Sequence, residues 1–592
     1  MTKTYEYYNP TGVAGTIFQD RYAIHPTETF TEASERVARH MAQAEQGEKI
    51  GEWKGKFQDV LAKNLLFPGG RIWYGSGRPK GQLLNCFVIP TSDSREGWGR
   101  TVSDMIIISG TGGGVGINAS PVRPRGTPIN GAGGTATGAV SLMSIVNAAA
   151  EVIKSGGGRR AALMFALNHN HGDIVEFLDE KLDKEKLKNA NVSIIFNENP
   201  EDFFEAVKKD KEIPLKHGGK VVSTVHAKTL WDRIVNNALH GGEPGMLNGY
   251  LANKMSNIHY IAPLICTNPC GEIWLSAYDN CCLGSVVLPR FVDPKSKTMD
   301  WDTLKDTVAT GVRFLDNVLT VNNYPLPEIK DTASSLRRIG LGVTGLHDML
   351  VLMGLKYNSP AALEFVDRVM KTIKNAAYAA SIDLAKEKGA FPKFDPDQHI
   401  RSGFIKTLKP SLRDDMYQYG VRNAAILTIA PVGTGSMVCG VSNEVCGVSS
   451  GIEPLFAPVY ERKWRKDEKL HKEVLVHPLF KWFVENGLST KHFQGSHDLK
   501  VKDHFEMQRV CQRHLDNACS KTINVPAGTS ADELSALYME YFSELKGVTI
   551  YPEGSRKDQP LTPLPLEEGL KMIEAARAEA VAGDCVGGSC SL

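Results

Sequence analysis

Hydrophobic positions follow two textures along the chain. Up to residue 80 they recur at helical spacing: within 31–46, Ala33, Val37, Met41 and Ala44 share one face, and Thr29 or Thr31 can cap the start. From Leu83 onward the apolar residues gather into short runs broken by glycine, at 86–89, 192–196, 284–288 and 424–429. Runs without polar alternation predict strands buried on both faces. Helical stretches at 229–239, 301–319 and 361–388 separate them, which predicts an α/β architecture. Three regions result: 1–80, mainly helical; 81–558, the α/β body; and 559–592, a tail. The tail opens on Pro560, Pro563 and Pro565, continues through one amphipathic helix and ends in small residues, so its end is expected to be mobile.

Charge and composition narrow the classes. The 68 Lys+Arg and 67 Asp+Glu of the 592 residues leave a formal charge of +1, without the basic excess of a duplex-binding surface. Nucleic acid is therefore not an expected partner. No apolar run reaches the roughly 18 residues of a membrane span, and residues 1–10 are polar and aromatic, unlike a signal peptide. A cytoplasmic location without membrane attachment is expected. Eleven cysteines, an odd number without an export signal, are expected to be mostly thiols.

The most informative segment is Asn268-Pro269-Cys270-Gly271-Glu272, followed by Cys281 and Cys282. Proline and glycine on either side predict a tight loop presenting the Cys270 thiol. Cys266 and Cys281 leave a zinc site open, although no matching cysteine pair completes it. A nucleophilic thiolate is a second alternative, although it needs a cation or histidine that the neighbouring sequence does not offer. Hydrogen-atom chemistry is the third: a neutral thiyl radical needs no lowered pKa, only a dry site and a base, for which Glu272 is the candidate.

Asn-x-Cys-x-Glu, with Leu84-Asn85-Cys86-Phe87-Val88 far upstream and a cysteine downstream, is similar to the active-site pattern of ribonucleotide reductases, in the same order from Cys86 to Arg556. That resemblance implies a ten-stranded α/β barrel of two five-stranded halves, with a central finger loop carrying the radical cysteine. It implies that Cys270 holds the thiyl radical that takes the 3′ hydrogen of a ribonucleotide, that Glu272 handles the 3′ hydroxyl proton and that Asn268 binds the sugar. Cys86 and Cys281 would supply the reducing electrons and end as a disulfide. Cys282 stands where the family usually has asparagine. Cys585 and Cys590 in the tail match the pair that carries electrons from a thioredoxin- or glutaredoxin-type reductant.

Two glycine-containing loops fit the same pattern. In 110–116 the resemblance places the backbone at Gly113 against the substrate sugar. Gly433, Thr434, Gly435 and Ser436 resemble the loop for the substrate phosphates, with Val432 replacing a threonine. The following Gly451-Ile452-Glu453-Pro454-Leu455-Phe456 also agrees. Asp93 and Arg123 fall where the family contacts a deoxynucleotide effector, and 181–191 matches the loop that relays effector identity to the substrate base. Residues 155–160 agree with a glycine- and arginine-rich stretch of the family.

The class follows from 546–556. Lys-Gly-Val-Thr-Ile-Tyr, ending in Gly-Ser-Arg, is very similar to the adenosylcobalamin-dependent class, whereas the class fed by a second, metal-containing subunit has two adjacent tyrosines where Tyr551 and Pro552 stand. That two-subunit enzyme is the nearest rival; a zinc-binding nucleotide regulator is a more distant one. With Cys86 near the start, overall control by dATP is not expected, while a homodimer with specificity control is compatible. No resident metal is expected.

Overall fold

Strand formation follows the apolar runs. Cys86–Ile89 (β1), Gly114–Asn118 (β2), Leu163–Asn168 (β3), Ala190–Ile195 (β4) and Gly245–Leu247 (β5) lie side by side in that order, all parallel. Their central residues are almost wholly buried, as parallel strands covered on both faces require. In the computed structural model, residues 4–129, 131, 133–153, 161–183, 186, 187, 189–466, 469–554 and 561–574 are described. Within them, helices Arg95–Gly110 (α2) and Ala139–Val152 (α3) make the crossovers after β1 and β2. They pack against each other.

A second group comprises Leu283–Val287 (β6), Gly340–Thr344 (β7), Thr522–Val525 (β8) and Gly547–Pro552 (β9). β6 and β7 are parallel, with Leu66–Pro68 antiparallel on the outer side of β6. β8 and β9 are parallel, and β9 joins β5 antiparallel through Gly547 and Val548. Asn280–Cys281 pairs antiparallel with the free edge of β1, giving an eight-stranded sheet.

The run at 424–429, expected as a strand, forms none. It makes single bridges instead, Leu427 to Leu341 and Ile429 to Cys519. The carboxylate of Asp516 takes the N–H groups of Ile426 and Leu427 that a ladder would otherwise use.

The helix expected over 31–46 runs Phe30–Ala42 (α1). Thr29 accepts the Glu32 N–H and Glu32 returns to the Thr29 N–H, so the capping box fixes the start at Phe30. Ala33, Val37 and Met41 face one continuous core, whose members extend from Tyr8 to Ile573. Region 1–80 thus packs onto the α/β body. Glu45 receives Arg313 from Trp301–Val321 (α4) at 2.8 Å and Lys388 from the end of Pro360–Lys388 (α5) at 2.8 Å.

The region expected as a tail begins with order: Leu561–Pro563 pairs antiparallel with the strand at Val459–Lys466, and a helix occupies 566–574. Cys585, Cys590, the whole stretch at 155–160 and part of 181–191 lie outside the described residues. Among the described residues no helix is long and apolar enough to cross a membrane.

Candidate functional site

The Asn268–Glu272 loop is a tight turn inside the molecule. Cys266–Thr267 and Trp274–Leu275 pair antiparallel as its stem. At the tip, the Gly271 N–H donates to Asn268 O at 3.0 Å, and Gly271 takes a φ of +76° that a side chain would resist. Asn268 is wholly buried and braces the turn: its Oδ1 accepts the Ile273 N–H at 3.2 Å, and its Nδ2 donates to Glu272 Oε1 at 2.7 Å.

Residues far along the chain fix the stem. Asn517 grips Trp274 twice, accepting its N–H at 2.6 Å and donating to its carbonyl at 3.2 Å. The Trp274 indole donates to Lys546 O at 3.0 Å, and Lys546 Nζ returns to the carbonyl of Asp516 at 2.6 Å. Thr428 Oγ1 donates to Glu272 O at 2.5 Å, which also accepts the Ala518 N–H at 3.1 Å. Local sequence gives no signal for these partners, because the contacts span 156 to 272 residues.

Electrostatics divide the roles of the loop. The Cys270 side chain is accessible at the tip of the turn while protein surrounds it, which places its thiol on an interior cleft; burial, then the neighbouring Glu272 carboxylate, hold the thiol well above its ordinary pKa. It stays protonated at neutral pH, which disfavours the thiolate alternative. Burial also raises Glu272 from its ordinary 4.5 to about 7, partly offset by the Asn268 hydrogen bond. Glu272 Oε2 has no hydrogen-bond partner among the described residues, so one oxygen is free to accept a hydrogen bond or a proton.

Cys86 and Cys281 are directly opposite each other in the antiparallel pairing of Asn280–Cys281 with β1. Cross-strand partners of this kind lie within the Cα separation that a disulfide accepts. Cys282, one residue on, points the other way and its Sγ donates to Leu315 O on α4. Backbone alternation therefore favours Cys281 over Cys282 as the partner of Cys86. Among the described residues, no group of three or more His, Cys, Asp or Glu side chains is arranged to hold a metal.

Glycines shape the same cleft. A Cβ on Gly113 would strike Phe87 and Ile108 at 2.7 and 2.9 Å, so packing within the chain already demands that glycine. Gly114 is the residue that abuts the thiols: its Cβ would stand 3.1 Å from Cys86 Sγ and 3.0 Å from Pro269 Cγ. At the other loop, Gly433 has a φ of +54° and open space beside it, and Thr434–Val438 begins a short helix. Gly435 packs against Phe67, whose ring a Cβ would meet at 2.7 Å. Ser436 Oγ donates to Gly433 O at 2.8 Å, which closes the turn.

This loop forms one wall of a cavity of about 260 Å³ whose other walls include Tyr22, Phe67, Asn85 and Ser285. The Tyr22 hydroxyl meets Thr434 Oγ1 at 2.8 Å, so a residue of the first eighty belongs to the pocket. Asn85 Oδ1 is buried without a partner among the described residues.

Asp93 and Arg123 meet at a second place. Arg123 Nε lies 2.8 Å from Asp93 Oδ2, and its N–H donates to Asp93 Oδ1 at 3.0 Å. His217, from the hairpin of Glu212–His217 and Lys220–His226, lies 3.8 Å from the same carboxylate.

A family model described as "Ribonucleotide reductase, barrel domain" matches residues 84–551. The "Vitamin B12-dependent ribonucleoside-diphosphate reductase" of Mycobacterium tuberculosis is 32% identical over 610 residues, covering 98% of this chain and 84% of that protein. The relative of the same name in Thermoplasma acidophilum is 33% identical over 541 residues, 87% of this chain and 67% of its own length. A "Ribonucleoside-diphosphate reductase large subunit" of Caenorhabditis elegans is 29% identical over 482 residues, 74% of this chain and 59% of its own.

Proposed function

The chain belongs to the ribonucleotide reductase family, and from that premise we propose that it reduces ribonucleotides to 2′-deoxyribonucleotides through a thiyl radical on Cys270, with adenosylcobalamin as radical source. The observation that carries this reading is the convergence of an enclosed neutral thiol, a hydrogen-bonded Asn268–Glu272 pair and the facing Cys86 and Cys281.

Each residue has a defined task. The Cys270 radical takes the 3′ hydrogen atom and becomes a thiol, leaving the substrate radical at C3′. Glu272 accepts the 3′ hydroxyl proton while Asn268 holds the sugar. The 2′ oxygen leaves as water with a proton from the Cys86–Cys281 pair; the second hydrogen of the pair passes to C2′ as the two sulfurs give up two electrons and close into a disulfide, and Glu272 returns its proton to the 3′ oxygen. Cys270 then returns its hydrogen atom to C3′ and regains the radical. Glu272 suits the base role because its pKa lies near the working pH.

Adenosylcobalamin supplies, when bound, the one-electron oxidant for the Cys270 thiol. The residues present fit a bulky group on that side: Cys270 is exposed to the cleft, and a Cβ on Gly271 would meet nothing within 4 Å. The face at Cys270 and Gly271 would hold it. Tyr551, followed by Pro552, supports this class over the two-subunit alternative, and so do the names of the relatives at 32 and 33% identity.

Gly433, Thr434, Gly435 and Ser436 would hold the substrate phosphates in the cavity beside Tyr22. Gly113, with Gly114, would bring the backbone close to the sugar. Asp93 and Arg123 would take a deoxynucleotide effector in exchange for their mutual ion pair. A homodimer would use the neighbouring α2 and α3, where Ile106, Ile107, Ile145 and Val152 are exposed. Cys585 and Cys590 would pass electrons from a thioredoxin- or glutaredoxin-type protein to Cys86 and Cys281 in a cytoplasmic setting. For the architecture, we infer ten strands in two halves of five, β1–β5 and β6–β9 with 427–429 between β7 and β8. The bridges from Leu341 to Leu427 and from Ile429 to Cys519 support that closure.

The deciding experiment incubates the purified chain with ribonucleoside di- or triphosphate, a small dithiol and adenosylcobalamin. Deoxyribonucleotide should form without any second subunit, and none with Cys270→Ser. Turnover that persists in Cys270→Ser, or that requires a metal-containing partner, refutes the reading.

A further inference from the structure

The finger-loop turn has one contact whose consequence differs from that of its internal bracing. Asn191, the second residue of β4, donates its Nδ2 to Pro269 O at 2.7 Å. A carbonyl only accepts, so the amide must present its nitrogen there. Pro269 and Cys270 are the two central residues of the turn closed by Gly271 N–H and Asn268 O, and Pro269 O therefore belongs to the central peptide.

Central peptides of β-turns can rotate between two orientations, which reverse the carbonyl and change the φ of the third residue from negative to positive. Cys270 is not among the residues with positive φ. The turn is thus in the orientation that a cysteine tolerates, and rotation would swing the Cys270 side chain with its backbone. Asn268 braces the ends of the turn and leaves the central peptide unconstrained. Asn191 alone, among the hydrogen bonds of the described residues, holds Pro269 O. On the opposite side the Pro269 ring is packed toward Gly114, where even a Cβ would come within 3.0 Å.

We propose that Asn191 is a positioning residue for the radical cysteine: its hydrogen bond locks the Pro269–Cys270 peptide and so aims Cys270 Sγ into the cleft. The idea rests on the reading of Cys270 as the radical site, but the lock itself does not. β4 is buried in the parallel sheet and anchored between β3 and β5, so it offers a rigid reference against which the loop tip is set. Asn191 itself is exposed.

Two variants of the full chain test it, Asn191→Ala and Asn191→Asp. The aspartate keeps the shape of asparagine but turns an acceptor toward Pro269 O. If Asn191 merely fills space, the aspartate is harmless; if it locks the peptide, the aspartate is at least as damaging as the alanine. Hydrogen exchange read at Cys270 and Gly271 should accelerate about fivefold or more in both, the factor that one ordinary hydrogen bond represents. With adenosylcobalamin and saturating ribonucleotide, kcat should fall about tenfold while KM stays within about threefold, because a misaimed thiol affects the hydrogen transfer more than binding. Unchanged exchange in both variants, or faster exchange with parental kcat, overturns the proposal. Faster exchange in a chain whose parent form reduces no ribonucleotide would leave the lock standing and remove the enzymatic reading instead.

Discussion

Glu272 offers the sharpest quantitative test, because a single hydrogen bond opposes its burial. The carboxyl sits at about 7 while it accepts from Asn268 Nδ2 at 2.7 Å. A hydrogen bond to an ionised group is worth about 1.5–3 kcal/mol, and each pKa unit corresponds to about 1.4 kcal/mol. Asn268→Ala should therefore raise Glu272 by about one to two units. The assay is the pH dependence of kcat/KM for deoxyribonucleotide formation under saturating dithiol. In the parent, activity should climb with pH through a midpoint near 7, the point at which Glu272 can accept a proton. In Asn268→Ala the midpoint should lie about one to two units higher, with a reduced plateau from the lost bracing of the turn. Glu272→Gln should abolish that limb with most of the activity. Stability supplies a second readout. The folded carboxyl keeps its proton between 4.5 and about 7, where the unfolded chain has already released it, so stability is fully present below 4.5 and declines as pH rises through 7. The decline should be about 3 kcal/mol at most and absent in Glu272→Gln. A parent midpoint at the ordinary carboxylate value, or one that Asn268→Ala leaves in place, refutes the reasoning.

Two further outcomes follow from the same cleft. After a single turnover without reductant, peptide mapping should find one new disulfide, Cys86–Cys281, because Cys282 faces Leu315; a Cys86–Cys282 link would contradict the register. Gly114→Ala should lower kcat about tenfold or more, since its Cβ would press on Cys86 Sγ and Pro269, whereas Gly99→Ala on α2, with nothing within 4 Å, should leave turnover unchanged. Equal effects of the two alanines would show that the close approach is without consequence.

Much of this arrangement was readable from local pattern. Unbroken apolar runs marked β1, β4 and β6 within a residue or two, since parallel strands buried on both faces leave no polar alternation. Motif order located Cys270, Glu272, Cys86 and Cys281, and the fold brings all four to one cleft. The run at 424–429 makes only single bridges because the N–H groups of Ile426 and Leu427 go to the Asp516 carboxylate, a partner 90 residues from Ile426. Asn517 and Thr428, which hold the Asn268–Glu272 loop and its stem, carry no periodicity or spacing that distinguishes them from ordinary residues, and Lys546 and Asn191, though inside segments that resemble the family, carry no sign of their contacts to it. Their role exists only after distant segments meet. Gly113 and Gly114 show the limit of motif reading: both sit in one glycine run, yet one serves internal packing and the other faces the thiols.

The hydroxyl contact between Tyr22 and Thr434 also carries a meaning for how the molecule comes into being. A wall of the cavity beside Thr434 is assembled from two stretches that emerge from the ribosome more than four hundred residues apart. A nascent chain must therefore wait for Thr434 before that wall is whole, and its first helices must stay available until then. The cavity thereby reports completion of folding, since no half-made chain contains it.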